Sequence, residues 1–307
     1  MDRSTHPIQR LSPEEADLEA VLALARAAED DDGDPPLSDQ TLVDLRTEPE
    51  RADLAEASAD GRALAAAVLV RSRAQGAPAL LEGVVDSQER GRGLGRRLIE
   101  TILEGHHGPV DAWSHGDHPA ARHLAQTLGF EPVRELHRLL RTDARPERLP
   151  EVKLPDGVVI RSFEPGRDEQ ELLRVNAAAF ADHPEQGQMS LEDLRQRQAE
   201  SWFDPAGLLL AVEQDDPDRV LGFHWTKRHP GSGQEPARGE VYVVGIAPDQ
   251  QGRRLGRALT VAGMRHLAEQ GLDEILLYVD AENTAAFRLY ESLGFERWHV
   301  DVMFSRR

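Results

Sequence analysis

The sequence predicts an α/β chain of two tandem domains, each built on a central mixed sheet. Three observations carry this prediction. At 307 residues the chain is about twice what one hydrophobic core usually organises. Apolar strand-like runs alternate with segments of helical periodicity. The same order of parts also occurs twice: an apolar strand, an Arg/Gly-rich turn, a helix, a second strand, a helix and then Leu-Gly-Phe.

Taken in chain order, strands are expected over 63–70 and 79–85, with a helix from Gly95 to Leu103 after the turn RGRGLG. The first repeat closes with ARHLAQTLGF at Phe130. RTDARPERLPEVKLPDG, residues 141–157, carries three prolines and many charges without apolar periodicity, so an exposed linker is expected over 143–157. It divides an N-terminal domain of residues 1–142 from a C-terminal domain of residues 158–307. In the second repeat strands are expected over 208–212, 220–226, 240–246 and 275–280. A helix from Gly256 to Gln270 follows QGRRLG, and AFRLYESLGF ends at Phe295.

Composition excludes several functions. Fifty-five Asp and Glu against 36 Lys and Arg leave a formal charge of -19, which repels nucleic acid and anionic membrane. With no cysteine there is no disulfide and no thiol nucleophile. The start MDRSTHPIQRLSPEEAD lacks an apolar core and no apolar run approaches the roughly 18 residues that span a bilayer, so a cytoplasmic protein is expected. EDDDGD at 29–34 lacks the alternating ligands and distal Glu of a calcium loop and reads as a solvated acidic loop. Of twelve histidines, none forms an H-x-x-x-H pair joined to a carboxylate. His106, His107, His115 and His118 sit in loop-like context, so no metal is expected.

A strand that ends at a basic glycine-rich turn and restarts as a helix offers free N–H groups at the positive end of the helix dipole, a seat for a pyrophosphate. Arg90, Arg92, Arg96 and Arg97 bring positive charge to the first such turn, and Arg253, Arg254 and Arg257 to the second. A dinucleotide-binding glycine fingerprint is the rival, but its acidic ribose partner is not evident.

Both halves resemble the Gcn5-related N-acetyltransferase (GNAT) family, whose acetyl-CoA motif reads Gln or Arg, two residues, Gly, one residue, Gly or Ala. Arg90, Gly93 and Gly95 match it; Gln251 and Gly256 match it in the second copy, where Arg254 replaces the family's glycine. The resemblance implies acetyl-CoA as co-substrate. It would be held by Gly83, Val84, Val85, Arg90, Gly91, Arg92, Gly93, Leu94 and Gly95 in the first half. In the second half the implied contacts are Val244, Gly245, Ile246, Gln251, Gly252, Arg253, Arg254, Leu255, Gly256 and Arg257, with Asn283, Thr284, Ala285, Ala286, Phe287 and Arg288.

WFDPAGLLLAV, LGFHWTK, GEVYVVGIAPDQQGRRLG, LYVDAENTAAFRLYESLGF and the ending DVMF further resemble the tandem branch of the family that completes mycothiol. Its members acetylate the cysteinyl amine of cysteinyl-glucosaminyl-inositol. That resemblance implies Glu240 as general base, the backbone N–H near Val244 as donor to the acetyl carbonyl, and Tyr290 as general acid to the CoA sulfur. It also implies acceptor contacts by Asp39, Glu185, Lys227, Glu240 and Tyr278. Aligning the repeats puts Ala79 opposite Glu240 and Ala125 opposite Tyr290, so the first half is expected to hold acetyl-CoA without turning it over. A monomer is expected. Two alternatives stay open: a tandem GNAT enzyme acetylating another small-molecule or peptide amine, and a non-catalytic acetyl-CoA sensor.

Overall fold

A computed structural model describes residues 6–181, 186–231 and 236–307. The elements, in chain order, are β1 (Ile8–Leu11), α1 (Leu18–Asp32), α2 (Asp39–Thr47), β2 (Ala52–Ala59), β3 (Arg62–Val70), β4 (Ala79–Val85), α3 (Leu94–Leu103), β5 (Val110–Ser114), α4 (Pro119–Thr127) and β6 (Glu131–Arg141). They continue as β7 (Val158–Ser162), α5 (Glu169–Ala179), α6 (Leu191–Ala199), β8 (Leu208–Glu213), β9 (Val220–His229), β10 (Arg238–Ile246), α7 (Leu255–Glu269), β11 (Ile275–Asp280), α8 (Thr284–Ser292) and β12 (Glu296–Arg306).

The chain forms two compact units. Unit 1 comprises residues up to His137 together with His299–Arg307, and unit 2 runs from Arg138 to Trp298. Strand order in unit 1 is β1-β2-β3-β4-β5-β12, the last contributing residues 299–306, and in unit 2 it is β6-β11-β10-β9-β8-β7, the first contributing residues 138–141. The last strand of the chain thus completes unit 1, where Val302 pairs with Ser114 and Phe304 with Ala112. Both sheets are mixed: β4–β5 and β10–β11 are parallel, and the pairs β2–β3, β3–β4, β8–β9 and β9–β10 are antiparallel.

Period-two alternation explains the apolar runs at the centre of each sheet. On β3, Ala65, Ala67 and Leu69 enter one core with Leu94, Leu98 and Ile102 of α3, while Ala66, Val68 and Val70 enter another with Val21 and Leu24 of α1. On β8, Leu208, Leu210 and Val212 face the core that holds Trp225, and Leu209 and Ala211 face Leu255 and Leu259 of α7. Each fully buried Leu or Val of these rows contributes on the order of 1.5–3 kcal/mol, which makes the central strands the rigid base for the residues that follow them.

One expectation needs correction. The acidic run at 29–34 is not a solvated loop: α1 continues to Asp32, Gly33 caps it in a left-handed conformation (φ 77°), and Asp34 is buried beside His299. Carboxylates at a helix C-terminus oppose the dipole, and here Asp32 is offset by a bidentate pair with Arg90 at 2.8 and 2.6 Å. The proline-rich segment at 143–157, part of unit 2, is mostly exposed but anchored at a few points. Ala144 and Leu149 are buried in the core of α7 and β11, and Arg265 donates to the carbonyls of Pro146, Leu149 and Pro150.

Candidate active site

Each unit has a place where two parallel strands separate. In unit 2, β10 and β11 are paired only over Gly239–Val241 and Ile275–Leu277. Beyond Val241, β10 stays in register with β9 as far as Ile246, with an irregularity between Val241 and Val243. The side of residues 242–246 facing β11 therefore lines a wedge at the C-terminal ends of two parallel strands, the usual ligand position in α/β sheets. Unit 1 repeats the pattern: β4–β5 pairing ends at Leu81 and Ala112, while β4 runs on to Val85.

The turns that leave the wedges share one backbone course. In unit 1 a short turn at Ser87–Glu89 leads through Gly91 (φ 73°) and Gly93 (φ 79°) into α3. In unit 2 Pro248–Gln250 leads through Gly252 (φ 79°) and Arg254 (φ 64°) into α7. Arg254 thus adopts the left-handed conformation of the glycine it replaces, at a cost of about 1–2 kcal/mol, and the turn keeps its shape. Neither α3 nor α7 has a side-chain N-cap, so their first-turn N–H groups face outward, as an anion seat requires.

Electrostatics ranks the two turns opposite to the sequence motif. In unit 1 Arg90 is clamped by Asp32, Arg92 pairs with Glu89 at 2.7 Å, Arg96 pairs with Glu100 at 2.8 Å, and Arg97 donates to the His6 carbonyl at 2.9 Å. The side-chain bonds to Arg90 hold Asp32 below the usual carboxylate range. In unit 2 Arg253 is bonded to the neutral Gln250 side chain and Arg257 to the Ser292 hydroxyl. Among the described residues, none of Arg253, Arg254 and Arg257 is ion-paired to a carboxylate. Unneutralised positive charge is therefore concentrated at the second turn.

Glu240 lies on β10 before the strands part and is 5% exposed. Its Oε2 is 2.6 Å from His229 Nε2, and Lys227 stands directly across the β9–β10 register. Lys227 places Nζ 5.1 Å from the Trp202 ring and 5.6 Å from the Tyr242 ring. Trp202, Phe203, Trp225 and Tyr242 form a contiguous aromatic cluster with ring centroids 5.2–5.8 Å apart. A carboxylate, a cation and aromatic faces on one side of a sheet suit an amine-bearing, hydroxyl-rich ligand.

Tyr290 on α8 packs edge-on against Phe295 at 5.9 Å, and burial pushes its hydroxyl up to about 12, so it keeps its proton at neutral pH. Asn283 caps α8 by accepting from the Ala286 N–H at 3.1 Å, which orients the first turn containing Thr284 and Ala285. Tyr278 is the first residue of β11 beyond its last pair with β10, is 38% exposed, and lies 6.0 Å from the Arg138 guanidinium. Asp39 is exposed at the start of α2 in unit 1. Glu185 lies outside the described residues.

Unit 1 holds other chemistry at its own wedge. Ala79 and Ala125 are buried in its core. Glu82, the first residue of β4 beyond its last pair with β5, is 2% exposed and accepts from the Ser38 N–H at 2.9 Å. His115 lies between Glu82, 3.2 Å away, and Asp301 of β12, 3.3 Å away, and Asp301 also accepts from the Gly116 N–H at 2.9 Å. Burial disfavours the imidazolium, but the bonds to Asp301 and Glu82 outweigh it and push His115 up to about 10. Sequence reading missed this cluster. Its one local signal was a lone carboxylate in each of the otherwise apolar runs ALLEGVV and VDVMF.

The acetyltransferase (GNAT) family model matches residues 172–295. A mycothiol acetyltransferase of Kocuria rhizophila is 53% identical over 285 residues, covering 92% of this chain and 94% of that protein. A solved GCN5-related N-acetyltransferase from Sphaerobacter thermophilus superposes with a TM-score of 0.72 at 26% identity, covering 98% of this chain and 96% of the other. A tandem GNAT protein from the clavulanic acid biosynthesis pathway shares the fold, with a TM-score of 0.73 at 17% identity and 98% coverage of both chains.

Proposed function

As the chain belongs to the mycothiol acetyltransferases, a tandem line of the GNAT family, we propose that it transfers the acetyl group of acetyl-CoA to the cysteinyl amine of cysteinyl-glucosaminyl-inositol, with the chemistry in unit 2. The observation that carries the placement is the pairing of a buried carboxylate, Glu240, with an uncapped helix start whose three arginines have no carboxylate partner among the described residues. The α7 first-turn N–H groups with Arg253, Arg254 and Arg257 bind the pyrophosphate. The strand backbone near Val244, at the wedge, donates to the acetyl carbonyl as it gains negative charge. Glu240 takes the amine proton, the new N–C bond forms, the C–S bond breaks, and Tyr290 supplies the proton to the departing sulfur. Lys227, Tyr278 and Glu185 are assigned to the acceptor.

Unit 1 acts as a binding or shaping domain. Its aligned positions are the aprotic Ala79 and Ala125, and the buried carboxylate at its own wedge, Glu82, is already committed to Ser38 and His115. Supplying cysteinyl-glucosaminyl-inositol, glucosaminyl-inositol and cysteine separately, and following product by mass, tests the acceptor. Selective acetylation of the first is the expected result; equal rates on the simple amines would overturn it. Cytoplasmic location fits a chain in which no described helix is long and apolar enough to cross a membrane.

A further inference from the structure

A general base must be held as well as present, because a carboxylate free to rotate offers either oxygen to the substrate at random. Glu240 is held from one side. His229 lies two residues beyond Lys227 on β9, and the register puts His229 opposite Arg238 and Lys227 opposite Glu240. The His229–Glu240 contact is thus the diagonal cross-strand pair on one sheet face. It spans 2.6 Å, with the carboxylate side chain 6% exposed and the imidazole 36% exposed. The contact is buried at its acidic end and open at its basic end.

We propose that His229 is a positioning residue for Glu240: its Nε2–H donates to Oε2, fixes the carboxylate, and leaves Oε1 to take the proton of the acceptor amine. The inference rests on the assignment of Glu240 as base. The other charged groups facing the pair are Lys227, stacked on Trp202 and Tyr242, and Arg238, bonded to Glu274 at 2.7 Å and lying 4.9 Å from the Trp298 ring. A neutral imidazole orients Glu240 without compensating its charge. An imidazolium at the same distance stabilises the carboxylate and weakens it as a base.

The test compares the wild-type chain with His229→Ala and His229→Gln, using whichever amine the wild type acetylates. The readouts are kcat and both KM values. His229→Ala should lower kcat about tenfold or more with both KM values within about twofold. His229→Gln, which retains an N–H donor, should recover most of the lost kcat. Wild-type kcat in both variants would overturn the proposal. So would a glutamine variant as impaired as the alanine one, or a loss that appears in KM. A wild-type chain that acetylates no amine would instead count against the parent reading of function.

Discussion

Raising the pH from 6.5 towards 10 should progressively loosen unit 1, and His115→Gln should abolish most of that dependence. His115 is the only cation in contact with both Glu82 and Asp301 among the described bonds, and it joins β5 to β12. Its folded-state value of about 10 exceeds the ordinary 6.5, because the bonds to Asp301 and Glu82 outweigh burial. The stabilisation is therefore complete below about pH 6.5 and is lost as pH rises through about 10. The interval corresponds to an upper bound of ~5 kcal/mol at about 1.4 kcal/mol per pH unit. Because one positive charge compensates two buried carboxylates, about 2–4 kcal/mol is the working expectation. Hydrogen exchange over peptides covering residues 110–116 and 300–305, corrected for the intrinsic pH dependence, reads this directly. Protection that is equal at pH 6.5 and 9 in the wild type, or that falls equally steeply in His115→Gln, would refute the reasoning.

Three further outcomes are expected. Arg254→Gly should relieve the left-handed strain at the start of α7 and raise the stability of unit 2 by about 0.5–1 kcal/mol, net of the entropy that glycine adds to the unfolded chain; urea unfolding checks it, and a loss of stability would contradict it. Gly263→Ala should cost about 1–3 kcal/mol by overpacking, because a Cβ there meets the His224 ring, itself tied to the Leu259 carbonyl at 2.8 Å; an unchanged melting temperature would count against it. Tyr290→Phe should lower kcat about 10–100-fold with little change in acetyl-CoA KM, and the wild type should show no loss of rate from Tyr290 ionisation up to about pH 10, since the hydroxyl titrates near about 12. A basic limb near pH 8 that disappears in the phenylalanine variant would contradict this.

Local signals carried much of the fold. The expected strands over 79–85 and 275–280 have the same bounds in the structure, and both helices after the Arg/Gly turns begin one residue earlier than expected. Those elements advertise themselves through unbroken apolar runs or apolar residues at three- and four-residue spacing. Strands β1, β2, β5, β6, β7 and β12 are not legible in the sequence: β1, β5, β6 and β7 are only partly buried, most of the buried residues of β2 are alanines, and the apolar residues of β12 are interrupted by Arg297, His299 and Asp301. The sorting of β12 into unit 1 depends on contacts nearly two hundred residues apart in sequence, such as Val302 with Ser114. The same distance hid Glu82, His115 and Asp301, which are unremarkable alone and form a cluster only once β4, β5 and β12 are adjacent. In the site, Glu240 and Tyr290 could be named from resemblance, but the pairing of Glu240 with His229 is a register property. The neutralisation of Arg90 by Asp32 required knowing that α1 reaches the turn.

The division of labour between the units is tested most directly by acetylating cysteinyl-glucosaminyl-inositol with wild type, Glu240→Gln and the double variant Glu240→Gln/Tyr290→Phe, counting CoA released per chain while confirming by circular dichroism that each is folded. Turnover should fall about 100-fold or more in Glu240→Gln and to background in the double variant, with unit 1 intact in both. Wild-type turnover in either variant would place the chemistry outside the Glu240 site and contradict the account.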